Sequence, residues 1–137
     1  MSNLSVVENV TLRLRHHTRK PSREILNEAE KLARRFGLAE IPKDRSSFVP
    51  AADLRRAQWV RAFLGEPALL LLERPMQGIA TAGLEPLITA VQAALGRGAV
   101  AIWITSDERV WNNDTIAVPW RFVVEGHRLR PVTETNK

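Results

Sequence analysis

Residues of the kinds that carry acid–base, nucleophilic or metal chemistry are few in this chain, and they are scattered. The three histidines, His16, His17 and His127, do not have the spacing of a metal-ligand set. There is no cysteine, so thiolate ligands and disulfides are excluded. The sequence contains no Gly-x-Ser-x-Gly elbow, no His-Glu-x-x-His pair and no convincing pair of carboxylates. The residues alone therefore predict no metal site and no catalytic centre of these kinds.

Basic residues are concentrated near the N-terminus of a chain whose net charge is +5. Such a cluster is typical of a module that binds nucleic acid or another anionic surface, and such binding is one candidate function of this chain. We favour a solvated helical face instead, because Glu24 and Glu28 are close by and no aromatic residues interleave. Nucleic acid is therefore the less favoured partner. The cluster consists of Arg13, Arg15, Arg19, Lys20 and Arg23.

The hydrophobic pattern predicts helices in the first half of the chain. Val6, Val10, Leu12 and Leu14 indicate a short helix followed by an extended piece. The clearest helix follows, with Ser22 as its N-cap and Gly37 as its left-handed stop. In the next helix, Leu54, Ala57, Arg61 and Leu64 share one face, with Val60 beside it. The three clearest helices are predicted over residues 22–36, 51–64 and 84–95.

Two short, uniformly apolar runs predict the strands of a parallel sheet. Residues 68–72 and 99–104 have the composition of strands that are buried on both faces. The helix between them then makes a right-handed crossover. Residues 120–132 alternate and turn at Glu125-Gly126, which predicts a β-hairpin. The predicted organisation is a helical subdomain over 1–67, a partial α/β core over 68–132 and a disordered tail over 133–137.

Several short segments are more informative in their order and spacing than any one of them is alone. They are residues 2–10, 11–17, 35–38, 66–75, 78–80, 104–107 and 123–129. Together they resemble the second half of an ABC transporter ATP-binding domain. Within them, residues 11–17 resemble the variant of lipid-transport members, of the kind that maintain outer-membrane asymmetry. The resemblance implies an incomplete P-loop NTPase-like α/β fold, with parallel strands and a crossover helix, a preceding helical subdomain and a C-terminal β-hairpin.

The resemblance places the catalytic motifs of that family on residues of which only Glu73, which keeps a carboxylate, could still perform its part of the chemistry. Glu66 to Pro75 corresponds to the Walker B segment. There Glu73 stands for the metal-binding aspartate, and Arg74 stands for the glutamate that polarises the attacking water. A guanidinium stays protonated and cannot act as a general base. Ala80 replaces the D-loop aspartate, and Ser106 replaces the switch histidine.

The segment that corresponds to the signature Leu-Ser-Gly-Gly-Gln is equally altered. Its residues are Val49, Pro50, Ala51, Ala52 and Asp53. The glycines of that signature let backbone amides approach a phosphate closely, whereas the alanines here add side chains. The proline removes an amide donor, and the aspartate adds negative charge. The chain also has no glycine followed by lysine, so it contains no phosphate-binding loop.

The resemblance therefore implies a degenerate, non-hydrolysing cassette or fragment that is a structural or regulatory partner in a transport system, with lipid as one option for the cargo. We expect no cofactor on this chain alone, and ATP with Mg²⁺ only if a P-loop half is present elsewhere. The implied partner is a membrane permease subunit or a second ATPase domain, and self-association is open. We expect a cytoplasmic chain that reaches a membrane only through a partner. The candidate docking residues are Leu4, Val6, Arg15, His16 and His17.

The strand at 99–104 is predicted to have one unsatisfied edge. It should pair with residues 68–72 on one side, while the strand of the P-loop half, its other neighbour in the family, is not in this chain. Unpaired backbone groups on an apolar strand promote association. The hairpin, a second copy or a P-loop half could each fill the gap, and we expect association with a partner or with a second copy.

Overall fold

The structure, a computed structural model, describes residues 3–116 and 118–132. Three helices come first, a strand–helix–strand unit follows, and a hairpin ends the described chain. The predicted α/β class is confirmed, and the predicted tail lies outside the described residues. The elements are α1 (Val6–His17), α2 (Ser22–Arg35), α3 (Ala51–Phe63), β1 (Leu69–Glu73), α4 (Leu84–Gly96), β2 (Val100–Ile104), α5 (Glu108–Trp111), β3 (Phe122–Glu125) and β4 (Arg128–Pro131), with 3₁₀ turns at Ser46–Phe48 and Thr81–Gly83.

Helix α1 is continuous where the sequence predicts a short helix and then an extended piece. Its start is fixed by a capping box, in which the Ser5 amide donates to a Glu8 carboxylate oxygen at 2.8 Å and the Glu8 amide donates to Ser5 Oγ at 3.4 Å. Val6, Val10 and Leu14 are buried one turn apart, so the helix is held to the core along its length.

Helix α2 begins at Ser22 and stops at the left-handed Gly37, as predicted, but its start is not capped in the predicted way. Ser22 is its first helical residue, Pro21 occupies the N-cap position, and no side chain caps the start, so the predicted Ser22 cap is wrong. At the other end, Gly37 has a φ of +80°. Its amide donates to the Arg34 carbonyl, and the Leu38 amide donates to the Ala33 carbonyl at 2.9 Å. These bonds satisfy carbonyls that the helix itself leaves unpaired.

Helix α3 packs against α1 and α2 and also reaches β1. Its predicted buried face is partly wrong: Ala57, Val60 and the flanking Leu64 are buried, but Arg61 is exposed and Trp59 is buried in its place. A helix with neighbours on several sides does not bury a single stripe. The aromatic contacts at its centre join Phe36 to Trp59 and to Phe63, each pair with ring centroids 5.5 Å apart.

Strands β1 and β2 are parallel neighbours, as predicted, with Leu69 opposite Val100 and Glu73 opposite Ile104. Leu70 and Leu72 are buried in the same core as α4, the helix that connects the two strands. The prediction that both faces are buried is wrong, because Leu71 is 65% exposed and Ile102 is 48% exposed. Among the described residues, one face of the sheet is covered, and the apolar side chains on the other are exposed.

The hairpin β3–β4 forms a second, antiparallel two-stranded sheet. The option that the hairpin fills the open edge of β2 is wrong, because within the described ranges β2 pairs only with β1. The Arg121 side chain connects the start of the hairpin to α5, since its guanidinium donates to the Trp111 carbonyl and lies 5.7 Å from the Trp111 ring centroid. None of the described helices is long and apolar enough to cross a bilayer.

Candidate functional site

The carboxyl ends of β1 and β2 lie side by side and bring together the segments that resemble Walker B and the switch loop. Glu73 is opposite Ile104 in the sheet register. The amide of Arg74 donates to the Ile104 carbonyl at 2.7 Å. Because residues 105–107 follow directly, Arg74 and Ser106 lie at the same edge of the sheet. Ligand sites of parallel α/β sheets form outside this edge.

Arg74 has an unusual backbone conformation at this edge. Its φ is +42°, a left-handed value that residues other than glycine rarely adopt. Such a residue costs on the order of 1–3 kcal/mol and persists where its surroundings fix it. Two hydrogen bonds hold the turn here. The Arg74 amide donates to the Ile104 carbonyl, and the Gln77 amide donates to the Arg74 carbonyl. The side chains of Glu73, Arg74 and Ser106 are all exposed, so solvent reaches each of these groups.

Arg109 connects the loop after β1 to the loop after β2, a role that the sequence did not predict. Its guanidinium donates to both carboxylate oxygens of Asp107, the shortest contact being 2.6 Å, and to the Ile79 carbonyl at 3.0 Å. The hydrogen bond from Arg109 lowers the pKa of Asp107, and the bond to Asp107 raises the pKa of Arg109. An aspartate and an arginine two residues apart, just after a strand, are the only signal in the sequence.

Replacing Asp107 by asparagine is expected to lower the melting temperature modestly at pH 7. The Arg109 hydrogen bond lowers the folded-state pKa of Asp107. The stabilisation by its carboxylate is therefore present above the pKa of an unperturbed aspartate, about 3.9. That stabilisation is lost as the pH falls through the lower, folded value. Melting curves of both proteins from pH 7 downward should converge in acid, and a difference that stays constant with pH would contradict this role of the charge.

The loop that follows Arg74 is anchored to α3. The indole nitrogen of Trp59 donates to the Pro75 carbonyl at 3.1 Å, and this bond is buried. Arg55, also on α3, donates to the Gln77 side chain at 3.4 Å. Ala80 is exposed at the start of the 3₁₀ turn Thr81–Gly83, within this same loop region. The α/β part and the helices are thus connected through the loop that carries Arg74.

The segment that resembles the signature forms the entry into α3. Val49 precedes Pro50, the N-cap residue, and the two alanines and Asp53 form the first turn. No side chain caps this turn. The Asp53 carboxylate instead accepts a 3.0 Å bond from Arg56, one turn further along the helix. A carboxylate at a helix N-terminus occupies the location where an anion would otherwise be favoured.

The candidate docking residues do not form one exposed surface. Arg15, His16 and His17 are exposed in the last turn of α1, and Leu4 is half-buried. Val6 is only 6% exposed and packs in the core, so its side chain is not available to a partner in this structure. The role of the other four in docking stays a prediction.

The residues at the sheet edge do not fit a bound Mg²⁺–nucleotide. Glu73 supplies one exposed carboxylate, while Arg74 beside it supplies a positive charge where a divalent cation would need oxygen ligands. Within residues 3–116 and 118–132, no group of three or more histidine, cysteine or acidic side chains could hold a metal ion. No step of nucleotide chemistry follows from these side chains.

Comparison with known proteins identifies the fold. No family model matches the sequence, and no curated protein is significantly similar to it. The structure is similar to two dimeric structures of the ATP-binding cassette MJ0796, one described as a bacterial ABC transporter cassette and the other as a post-hydrolysis state bound to ADP and Pi. In both cases the TM-score is 0.64 and the identity 20%, over 80% of this chain and 49% of the cassette. This chain therefore has part of the cassette fold and spans about half the length of those proteins.

Proposed function

We propose that this chain is a degenerate ABC-type half-cassette that does not hydrolyse ATP and has a structural or regulatory role in a transport system. Its partner in this proposal is a membrane permease subunit or a second ATPase domain. The cassettes with similar structures are dimeric, which supports association with a second ATPase domain or a second copy. Lipid is the proposed cargo because residues 11–17 resemble the lipid-transport variant.

The observation that carries the proposal is the pair of residues at the carboxyl edge of the sheet. Arg74 and Ser106 both follow the carboxyl ends of the paired strands, at the positions where hydrolysis in the resembled family needs a general base and a histidine. A permanently protonated guanidinium cannot accept the proton of an attacking water. A cassette that has lost its catalytic groups still has the surfaces through which it can bind a partner. Such a role is possible because function depends on sites and surfaces more than on the fold itself.

The purified chain is expected to release no phosphate from ATP in the presence of Mg²⁺. The physical reason is the absence of both a phosphate-binding loop and a general base, each of which contributes orders of magnitude to the rate. The measurement is a phosphate-release assay on the chain and on Glu73→Ala, with a working cassette as the positive control. Turnover that Glu73→Ala abolishes would show that the altered site still functions.

The matched variant is Arg74→Glu, which supplies a carboxylate where the base would be. We expect no gain in turnover, because a base alone does not bind the phosphates. Turnover in both Glu73→Ala and Arg74→Ala would show that any activity arises away from these residues. A measurable gain in Arg74→Glu alone would contradict the proposal, since it would mean that nucleotide already binds productively.

The alternative function, binding of an anionic surface through the basic cluster, has one favourable observation: Arg15, Arg19 and Arg23 are exposed close to one another along the chain. The other two cationic groups of the cluster have partners within the chain. Arg13 donates to the Leu64 carbonyl, and Lys20 pairs with Glu28 at 2.7 Å. Binding to anionic vesicles or to DNA that falls steeply with added salt would favour this alternative.

A further inference from the structure

The β3–β4 hairpin has one apolar face and one charged face. Opposite residues of an antiparallel pair share a face, and the register pairs Phe122 with Pro131 and Val124 with Leu129. These four side chains form a row without a polar group. An antiparallel sheet of this kind normally packs its apolar face against another surface. The alternate residues form the other face, and they are Val123, Glu125, Arg128 and Arg130.

The apolar face of the hairpin is exposed to solvent. Every residue from 122 to 132 is exposed, with Val124 at 70% and Leu129 at 69%. Trp120, two residues before the row begins, is 76% exposed. A two-stranded hairpin is at best marginally stable alone in water. A surface that covers this face would therefore stabilise the hairpin as well as bind it.

The charge of the hairpin indicates which kind of surface binds there. Residues 118–132 contain three arginines and one glutamate, and the whole chain has a net charge of +5. Glu125 is paired with Arg130 at 3.4 Å, whereas Arg128 has no ion-pair partner within the described ranges. A second copy carries the same excess of positive charge, which opposes its approach. An anionic lipid surface is attracted instead, by about 1 kcal/mol for each nearby arginine.

We propose that the apolar face of the hairpin binds an anionic lipid surface directly. Val124 and Leu129 then lie at the boundary between headgroups and acyl chains, and Trp120 lies at headgroup depth, which its amphipathic ring prefers. The charged face and the unpaired strand edges stay in the hydrated headgroup layer, because unpaired backbone groups do not enter the hydrocarbon. This site uses none of the basic cluster at residues 13–23, and it does not depend on the proposed loss of hydrolysis.

The test is co-sedimentation of the full chain with phosphatidylglycerol vesicles, compared with neutral phosphatidylcholine vesicles. We expect partitioning to be about 10-fold stronger on the anionic vesicles. Tryptophan emission should shift to shorter wavelength on binding, because Trp120 leaves water. Val124→Glu places a charge on the apolar face and should weaken partitioning about 10-fold or more. Trp120→Ala lies outside the two strands, and it should weaken binding and remove the emission shift.

The matched control is Val123→Glu, which makes the same change on the charged face, opposite Arg130. It alters the net charge equally, so it should weaken partitioning only about 5-fold, the effect of one charge. Equal losses in the two glutamate variants, without an emission shift, would overturn the proposal, because binding would then depend on charge alone. So would a dimer, seen by light scattering without vesicles, that Val124→Glu dissociates, since a second copy would then be the occupant. Neither result bears on phosphate release.

Discussion

Replacing Trp59 by alanine is expected to lower the free energy of unfolding by about 3–5 kcal/mol, the range for removing a large aromatic side chain from a core. The Trp59 side chain is 2% exposed, its ring meets Phe36 edge-on, and its indole nitrogen donates to the Pro75 carbonyl. Alanine here would remove the contacts through which Trp59 joins α3 to Phe36 and to the loop after β1. Because domains of this size are stable by only about 5–15 kcal/mol, such a loss is large.

Two further substitutions separate the contributions to this effect. Trp59→Phe keeps a ring but removes the donor, so it should cost about 1 kcal/mol for the lost hydrogen bond, plus whatever the smaller ring leaves unfilled. Trp120→Ala removes a side chain that is 76% exposed and should change stability by no more than about 0.5 kcal/mol. Urea unfolding followed by far-ultraviolet circular dichroism measures all three. Equal costs for Trp59→Ala and Trp120→Ala would contradict the role assigned to Trp59.

Replacing Gly65 by alanine is expected to cost more than the same change at Gly78. Both glycines have left-handed φ values, +79° and +75°, so both variants incur about 1–2 kcal/mol of backbone strain. A Cβ at Gly65 would also lie 2.6 Å from a methyl carbon of Leu14 and 3.1 Å from the Arg13 guanidinium, whereas one at Gly78 meets nothing within 4 Å. Overpacking against the buried Leu14 should add about 1–2 kcal/mol.

The difference between the two glycine variants is the quantity to measure, because the backbone contribution is nearly common to both. Urea unfolding of the two variants and of the unaltered chain gives that difference directly. A cost at Gly65 no larger than at Gly78 would mean that Leu14 and Arg13 move aside freely. The turn between α3 and β1 would then not constrain how closely α1 packs.

The sequence predicts this structure best where a feature is local. The end of α2 depends on Gly37 and its immediate neighbours, and hydrogen bonds within one turn confirm it. The prediction that Ser22 caps the start of the same helix is wrong, because Pro21 occupies the N-cap position and Ser22 is already helical. The buried face of α3 depends on three neighbouring elements at once, and a single periodic stripe cannot represent that environment.

The strands show a different limit. The apolar composition of residues 68–72 and 99–104 predicts burial on both faces, yet within residues 3–116 and 118–132 only one face is covered. The apolar composition of a strand predicts that both of its faces need to be covered, but it does not specify which residues cover them. The pairing of β1 with β2, which brings Arg74 and Ser106 to the same edge of the sheet, follows from the strand–helix–strand order. The bridge formed by Arg109 could not be predicted, because it depends on where two loops meet.

The tryptophans occupy four unlike environments, and intrinsic fluorescence can therefore distinguish regions of this molecule. Trp59 is enclosed in the core, Trp103 is half-buried on β2, Trp111 lies beside the Arg121 guanidinium and Trp120 is largely in solvent. A soluble quencher such as iodide reaches Trp120 first, while the emission of Trp59 stays at shorter wavelength because no water surrounds its ring. Quenching thus reports on the segment before the hairpin, and a red shift of the residual emission reports on opening of the helical core.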